Sequence, residues 1–171
     1  MKRFHLILLS HILSLFLVPS VFSKPVVSVT GINNLEEIKA LTESFLEHLE
    51  VYEDLHLLIV LTLKMSDQFD GATFSTTPTE SGTGMSIRVN INAHLSKEEQ
   101  IHVLAHEMIH VKQLAKNELI LQADNGVIWK GVPCKYSGFY NPNSPWEKEA
   151  FKYDSMLVDQ VRSSQSKKEP C

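Results

Sequence analysis

The fold of this chain is decided by residues 96–115, SKEEQIHVLAHEMIHVKQLA. Ser96 and Glu99 form a capping-box pattern, which predicts a helix from about residue 97 to about residue 118. At about 100° per residue, this helix has one apolar stripe. The stripe comprises Ile101, Leu104, Ala105, Met108, Val111 and Ala115. His106 and His110 point roughly opposite the stripe, so they lie on a separate face of the helix.

His106, Glu107 and His110 form the motif HExxH. Histidines four residues apart lie one turn apart on one helix face, so both imidazoles can reach one metal ion. The glutamate between them can act as the general base on a metal-bound water. Two structural alternatives stay open: Val103 and Leu114 flank the histidines, which could be satisfied inside a packed core, or the face could simply be solvated.

A catalytic zinc site needs a third protein ligand and an open position for water. Ser144 as the N-cap and Pro145 as the first helical residue predict a last helix to about Val161. Glu147 lies on the inward face of that helix, whereas Glu149 points mainly outward with Tyr153 and Met156. The inward face is formed with Ala150, Phe151, Val158 and Val161. We therefore predict Glu147 as the third ligand; alternatively, it closes a capping box with Ser144.

Further candidates surround this constellation. His102, one turn before His106, is predicted to be a helix-surface residue, with contact to a metal ligand as the alternative. Asp154, two turns after Glu147, is a candidate to orient a ligand histidine. Three tyrosines are candidate oxyanion donors, and the sequence does not select among them. They are Tyr136, Tyr140 and Tyr153.

The rest of the chain predicts one α+β domain over residues 24–162, followed by a polar tail at 163–171. The expected order is helix, three-strand meander, motif helix, hairpin and last helix. An apolar run at Val26–Val29 precedes a helix at about 34–50, with Asn33 and Glu36 as its capping box. The predicted strands are Leu55–Leu63, Gly71–Thr77 and Met85–Asn92, and the hairpin joins Leu119–Gln122 to Val127–Lys130 around Asp124-Asn125-Gly126.

Residues 1–23 have the pattern of a secretory signal peptide. Lys2 and Arg3 precede an apolar segment from Leu6 to Val18, and Val21-Phe22-Ser23 fits a cleavage site. Thirteen helical residues rise only about 20 Å, too little to span a membrane. We therefore expect an exported protein, periplasmic or secreted, with no membrane span in its mature chain. An oxidising compartment favours a disulfide between Cys134 and Cys171, the two cysteines of the chain.

The motif His106–His110, followed by Glu147-Lys-Glu-Ala150, resembles the zinc metallopeptidases called gluzincins. The order of elements is similar to the minimal zincin core of SprT-like domains. This resemblance implies that His106, His110 and Glu147 bind one zinc ion per chain and that Glu107 is the base. It also implies that Met85–Asn92, the strand before the motif helix, is the edge along which a peptide or protein substrate lies.

Composition limits the alternatives. The chain is 43% hydrophobic and 21% charged, as in globular domains, and its net charge of −4 provides no basic face for nucleic acid. An exported zinc metallopeptidase is the leading hypothesis. The alternatives are a zinc hydrolase of a non-peptide bond, which could use the same site, and a non-catalytic exported binding domain with an accidental HExxH. The sequence does not indicate substrate specificity or oligomeric state.

Overall fold

The computed structural model describes residues 24–31, 34–65, 69–76, 84–122, 126–135 and 140–166. These residues form three helices and seven strands in two sheets, an α+β fold as the sequence predicts. In chain order the elements are β1 (Val26–Thr30), α1 (Leu35–His48), β2 (Leu55–Thr62), β3 (Gly71–Thr76), β4 (Met85–Asn92), α2 (Lys97–Ala115), β5 (Leu119–Leu121), β6 (Val127–Trp129), β7 (Val132–Cys134) and α3 (Pro145–Ser166). The predicted signal peptide at 1–23 and Cys171 lie outside the described residues.

The larger sheet has the strand order β1-β2-β4-β3. β1, β2 and β4 are parallel, and β3 is antiparallel to β4. The predicted meander is therefore wrong, because β2 pairs with β4 and not with its neighbour in sequence. The expectation that Met85–Asn92 is an edge is also wrong, since β4 pairs on both sides. β3 takes the edge position, and this brings Gly71–Thr76 next to the motif helix.

One face of this sheet forms the core. Residues alternate between buried and more exposed along β2 and β4, and the register pairs Leu57 with Ile87 and Ile59 with Val89. Such alternation places every second side chain on the same face. The apolar stripes of α1 and α2 join these strands in one cluster. The helix that carries HExxH is therefore fixed against the sheet through its stripe, as the sequence predicts.

The two helices that carry the candidate ligands begin as predicted but end differently. In α2 the Ser96–Glu99 capping box is formed. The helix ends at Ala115, three residues early, just before Asn117, which has a φ of 53°. α3 continues past Val161 to Ser166, so the predicted polar tail begins inside a helix. Ser163 and Ser164 donate hydrogen bonds to carbonyls four residues earlier, which satisfies their hydroxyls within the helix.

Two smaller predictions, the cap of the first helix and the hairpin, agree with the structure only in part. Asn33 lies outside the described residues, and the N-cap of α1 is Asn34, whose side chain makes no capping hydrogen bond within the described part of the chain. The predicted hairpin is confirmed as β5 and β6, but β7 adds a third strand through a turn at Lys130 and Gly131, both with positive φ. Pro133 inside β7 made this strand unrecognisable by pattern.

Over the described ranges, no helix is both long and apolar enough to cross a membrane.

Candidate metal centre and cleft

His106 and His110 lie side by side on α2, facing α3. Their ring centroids are 5.0 Å apart. The apolar stripe is buried on the opposite side of the helix, as predicted. His110 is buried and His106 is largely covered. The histidine face is therefore neither solvated nor part of the apolar core, because it faces a carboxylate.

That carboxylate belongs to Glu147, in the first turn of α3. Its Oε2 atom lies 3.3 Å from His106 Nε2, and its Oε1 atom lies 3.4 Å from His110 Nε2. The alternative capping box is not formed, since Ser144 Oγ is buried without a hydrogen-bond partner among the described residues. Of the two open roles for Glu147, the geometry favours the ligand position.

These three side chains could hold a metal ion. Their donor atoms all lie within 4.8 Å of one another. Ligands about 2.1 Å from a tetrahedral ion are separated from each other by about 3.4 Å. The distances of 3.3 and 3.4 Å from Glu147 to the two rings match that spacing. The two imidazole nitrogens and the carboxylate of Glu147 could therefore surround one metal ion, with Oε2 near His106 and Oε1 near His110.

The other nitrogen of each ring also has a partner. Asp154 Oδ2 lies 3.5 Å from His106 Nδ1, so the residue expected to orient a histidine lies beside one. Gln113 Oε1 lies 2.8 Å from His110 Nδ1. Sequence reasoning missed Gln113, although its position three residues after His110 was a signal that could have identified it. Both contacts leave Nε2 directed at Glu147, as metal-bound histidines require.

Glu107 is buried between α2 and the edge strand, with 6% of its surface exposed. Thr73 Oγ1 donates a 2.5 Å hydrogen bond to Glu107 Oε2. Gly71 lies so close that a Cβ atom there would come within 2.6 Å of Glu107 Oε1. Sequence reasoning missed both β3 residues, because their contact with Glu107 arises only when the strand takes the edge position.

The charges in the site favour a cation. Burial raises the pKa of Glu147, but its hydrogen bonds to His106 and His110 and their charges outweigh burial and lower that pKa to about 2. Burial lowers the pKa of His110, yet contact with Glu147 and the charge of Glu107 raise it overall. Burial raises the pKa of Glu107, in spite of His110 and Thr73. The Glu147 carboxylate, which raises the pKa of His110, would in the same way favour a metal cation between the two rings.

The candidate ligands open onto a cleft of about 630 Å³. Its lining combines aromatic and aliphatic side chains with the candidate ligands, and β3 contributes Gly71, Ala72 and Thr73 to it. The apolar part of the lining includes Phe69, Leu114, Leu119, Tyr140, Trp146 and Phe151. A site of this kind can bind an extended apolar segment next to polar chemistry.

The structure describes three of the remaining candidate residues. Tyr140 lines the cleft, and burial, followed by the charges of Glu147 and Glu107, raises its pKa, which keeps its phenol protonated. Tyr153 lies on another surface, against Lys152. His102 is half-exposed beside Glu98, as predicted, although it also reaches the rim of the cleft. Tyr136 falls outside the described residues.

Two further predictions concern residues around the site, Glu149 and Cys134. Glu149 does not point outward: it is largely covered, and it contacts Gln113 and Lys130. The expected direction was wrong because the turn after β6 covers that side of α3. Among the described residues, Cys134 at the end of β7 has no disulfide partner; Cys171 lies outside them, so the disulfide stays a prediction.

Known proteins provide no further guide to the site. No model of a protein family, no curated protein and no solved structure matches this chain. The residues themselves therefore carry the functional argument. They form an α+β fold in which His106, His110 and Glu147 could hold a metal ion beside the buried Glu107.

Proposed function

We propose that this chain is a zinc-dependent metallopeptidase with a minimal zincin-like core. One observation carries the proposal: two imidazoles and a carboxylate converge, with donor atoms within 4.8 Å of one another, next to a buried glutamate and an open cleft. HExxH alone occurs by chance, but chance does not explain a third donor from a separate helix. Nor does it explain partners on both Nδ1 atoms.

Zinc is the metal that suits these donors best. Calcium and magnesium prefer sites made of oxygen atoms, whereas two imidazoles with one carboxylate are typical of catalytic zinc. The ligands are His106, His110 and Glu147, and they define one ion per chain. Bound zinc would supply a water of lowered pKa and would polarise the carbonyl under attack.

Glu107 then serves as the proton acceptor. Burial raises its pKa, and this change makes the carboxylate a stronger base. Thr73 holds Oε2, and Gly71 leaves room for the carboxylate between strand and helix. The carboxylate takes a proton from the attacking water and can deliver it to the leaving amine. Tyr140, with its phenol protonated, is the tyrosine placed to donate to the developing oxyanion.

The edge strand supports a peptide as the substrate. β3 ends the sheet order, and in the described part of the chain its outer edge has no partner strand. Extended peptides bind such edges through their backbone amides and carbonyls. Because β3 also lines the cleft, a peptide paired with Gly71–Thr76 would pass directly beside Glu107. We therefore assign to β3 the role that the resemblance to gluzincins implied for Met85–Asn92.

A metal analysis and one assay test the proposal. The chain lacking residues 1–23, purified without chelators and supplied with zinc, should contain one zinc ion and cleave unstructured peptides until a chelator is added. Glu107→Gln should keep the zinc and lose activity by several orders of magnitude, since it removes the base and no ligand. Glu43→Gln, the same change of a carboxylate to an amide at an exposed position of α1, is the matched control. Absence of bound zinc would refute the proposal, and zinc without peptide cleavage would point to another substrate.

We also propose that the protein is exported and cleaved before Lys24, and that Cys134 pairs with Cys171. Expression of the full chain in a bacterial host should release a mature protein whose N-terminal residue is Lys24. Thiol counting in denaturant without reductant should find no free thiols. Two free thiols in the exported protein would contradict the disulfide and leave the export proposal intact.

A further inference from the structure

Gln113 is a fully buried polar residue that contacts a candidate metal ligand. It lies on α2, almost one turn after His110, with 0% of its surface exposed. Its Oε1 atom lies 2.8 Å from His110 Nδ1. Its Nε2 atom donates to the carbonyl of Trp146 at 3.1 Å and to Glu149 Oε2 at 2.9 Å. All three contacts are with groups on or next to the candidate metal centre.

These partners fix the direction of the amide. Both acceptors of Gln113, a backbone carbonyl and a carboxylate, can only receive a hydrogen, so they must face the NH₂ group. The amide oxygen therefore has to face the ring of His110. Because a carbonyl oxygen only accepts, His110 must carry its proton on Nδ1 when it makes this bond. The lone pair of the neutral ring then lies on Nε2, the nitrogen directed at Glu147.

Glu149 is fixed in turn by two lysines. Lys130 Nζ lies 2.9 Å from Glu149 Oε1, and Lys112 Nζ lies 3.7 Å from the same atom. Glu118 also contacts both lysines, at 3.1 Å from Lys112 and 3.8 Å from Lys130. The carboxylate of Glu149 thus contacts α2 and the turn after β6, and it shares both lysines with Glu118, the residue before β5. The lysines contact Oε1 and Gln113 donates to Oε2, so both oxygens of this carboxylate have partners.

We propose that Gln113 and Glu149 are positioning residues that select the Nδ1-protonated form of His110 and so present Nε2 to the metal. This inference rests on the metal site proposed above. Glu149, the alternative to Glu147 when the third ligand was predicted, then acts on the ion indirectly, through Gln113 and His110. Hydrogen bonds to the distal nitrogen of a ligand histidine typically change metal affinity by about 10- to 100-fold.

Zinc affinity and histidine NMR spectra test the proposal together. Gln113→Met keeps the length of the side chain and removes all three hydrogen bonds, so it should weaken zinc binding by about 10- to 100-fold. Gln100→Met removes two hydrogen bonds at the start of the same helix and should leave zinc affinity unchanged. Nitrogen-15 spectra of the metal-free protein, above the titration of His110, should show the Nδ1-protonated ring in wild type and not in Gln113→Met.

An exchange of the two side chains keeps the proposal testable if Gln113→Met does not fold. Gln113→Glu alone sets a carboxylate against Glu149 and should weaken zinc binding. Adding Glu149→Gln restores a donor to that carboxylate and should recover part of the affinity. An exchange variant that binds no better than Gln113→Glu would overturn the proposal, as would an unchanged ring and unchanged affinity in Gln113→Met. If wild type itself binds no zinc, the metal site fails, while the spectra still decide which nitrogen of His110 is protonated.

Discussion

Gly71→Ala should displace the proposed catalytic base without touching a metal ligand. A Cβ atom at this position would lie 2.6 Å from Glu107 Oε1 and 2.6 Å from Val103 Cγ1, whereas ordinary contact begins at 3.4 Å. The carboxylate or the strand must therefore move by about 0.8 Å. Catalytic groups tolerate displacements of about 0.5 Å, and a displacement near 1 Å can cost about 100-fold in rate. We expect kcat to fall on the order of 100-fold, with zinc affinity close to wild type.

Steady-state cleavage of a fluorogenic peptide, together with zinc titration and a melting curve, measures these effects separately. Overpacking costs about 1–3 kcal/mol, so a folded variant with a lower melting temperature is expected. Gly84→Ala is the matched control, because its Cβ atom would come only to 3.2 Å from the carbonyl of Asp54, away from the site. A wild-type kcat in folded Gly71→Ala would refute the assignment of Glu107 as a base held by β3.

Three further outcomes are expected. Glu147→Ala should abolish tight zinc binding, whereas a capping role would cost only about 0.5–2 kcal/mol of stability and leave zinc affinity unchanged; isothermal titration and melting curves separate the two. Tyr140→Phe should lower kcat by about 100-fold at unchanged zinc content if the phenol stabilises the oxyanion, and an unaltered kcat would exclude it. In metal-free protein, Glu107→Gln should raise the melting temperature at pH 8 but not at pH 4. Burial raises the pKa of Glu107 above 4.5 in the folded chain. The native state therefore loses stability as the pH rises and this carboxyl ionises, and the amide of Gln avoids that loss. An equal effect at both pH values would contradict this.

The local parts of the site could be predicted from sequence. The helix start at Ser96, the apolar stripe and the shared face of His106 and His110 all depend on spacing within one helix. The choice of Glu147 over Glu149 also came from helical spacing, and the structure places Glu147 against both rings. Angles within one helix are fixed by 3.6 residues per turn, so they need no knowledge of the rest of the chain.

The non-local parts could not be predicted. Alternation along a strand indicates which of its faces is buried but not which strand pairs with it. The pairing of β2 with β4 could therefore not be predicted. The roles of Thr73 and Gly71 depend on that pairing, because only an edge position brings β3 to Glu107. Glu149 was placed outward for the same reason. Helical spacing gives the direction in which Glu149 leaves α3. It does not show that the turn with Lys130, which belongs to the smaller sheet, covers Glu149.

The surroundings shift the pKa values of the two acidic residues at the centre of the site in opposite directions. Glu147 lies between two imidazoles, which lower its pKa to about 2 and keep it ionised, as a metal ligand must be. Glu107 is buried against a strand, and burial raises its pKa, as a proton acceptor requires. Active sites assign different tasks to like groups by separating their pKa values in this way. In this chain the separation depends on which carboxylate α3 turns toward the histidines and which one β3 covers, so the fold itself distinguishes the proposed ligand from the proposed base.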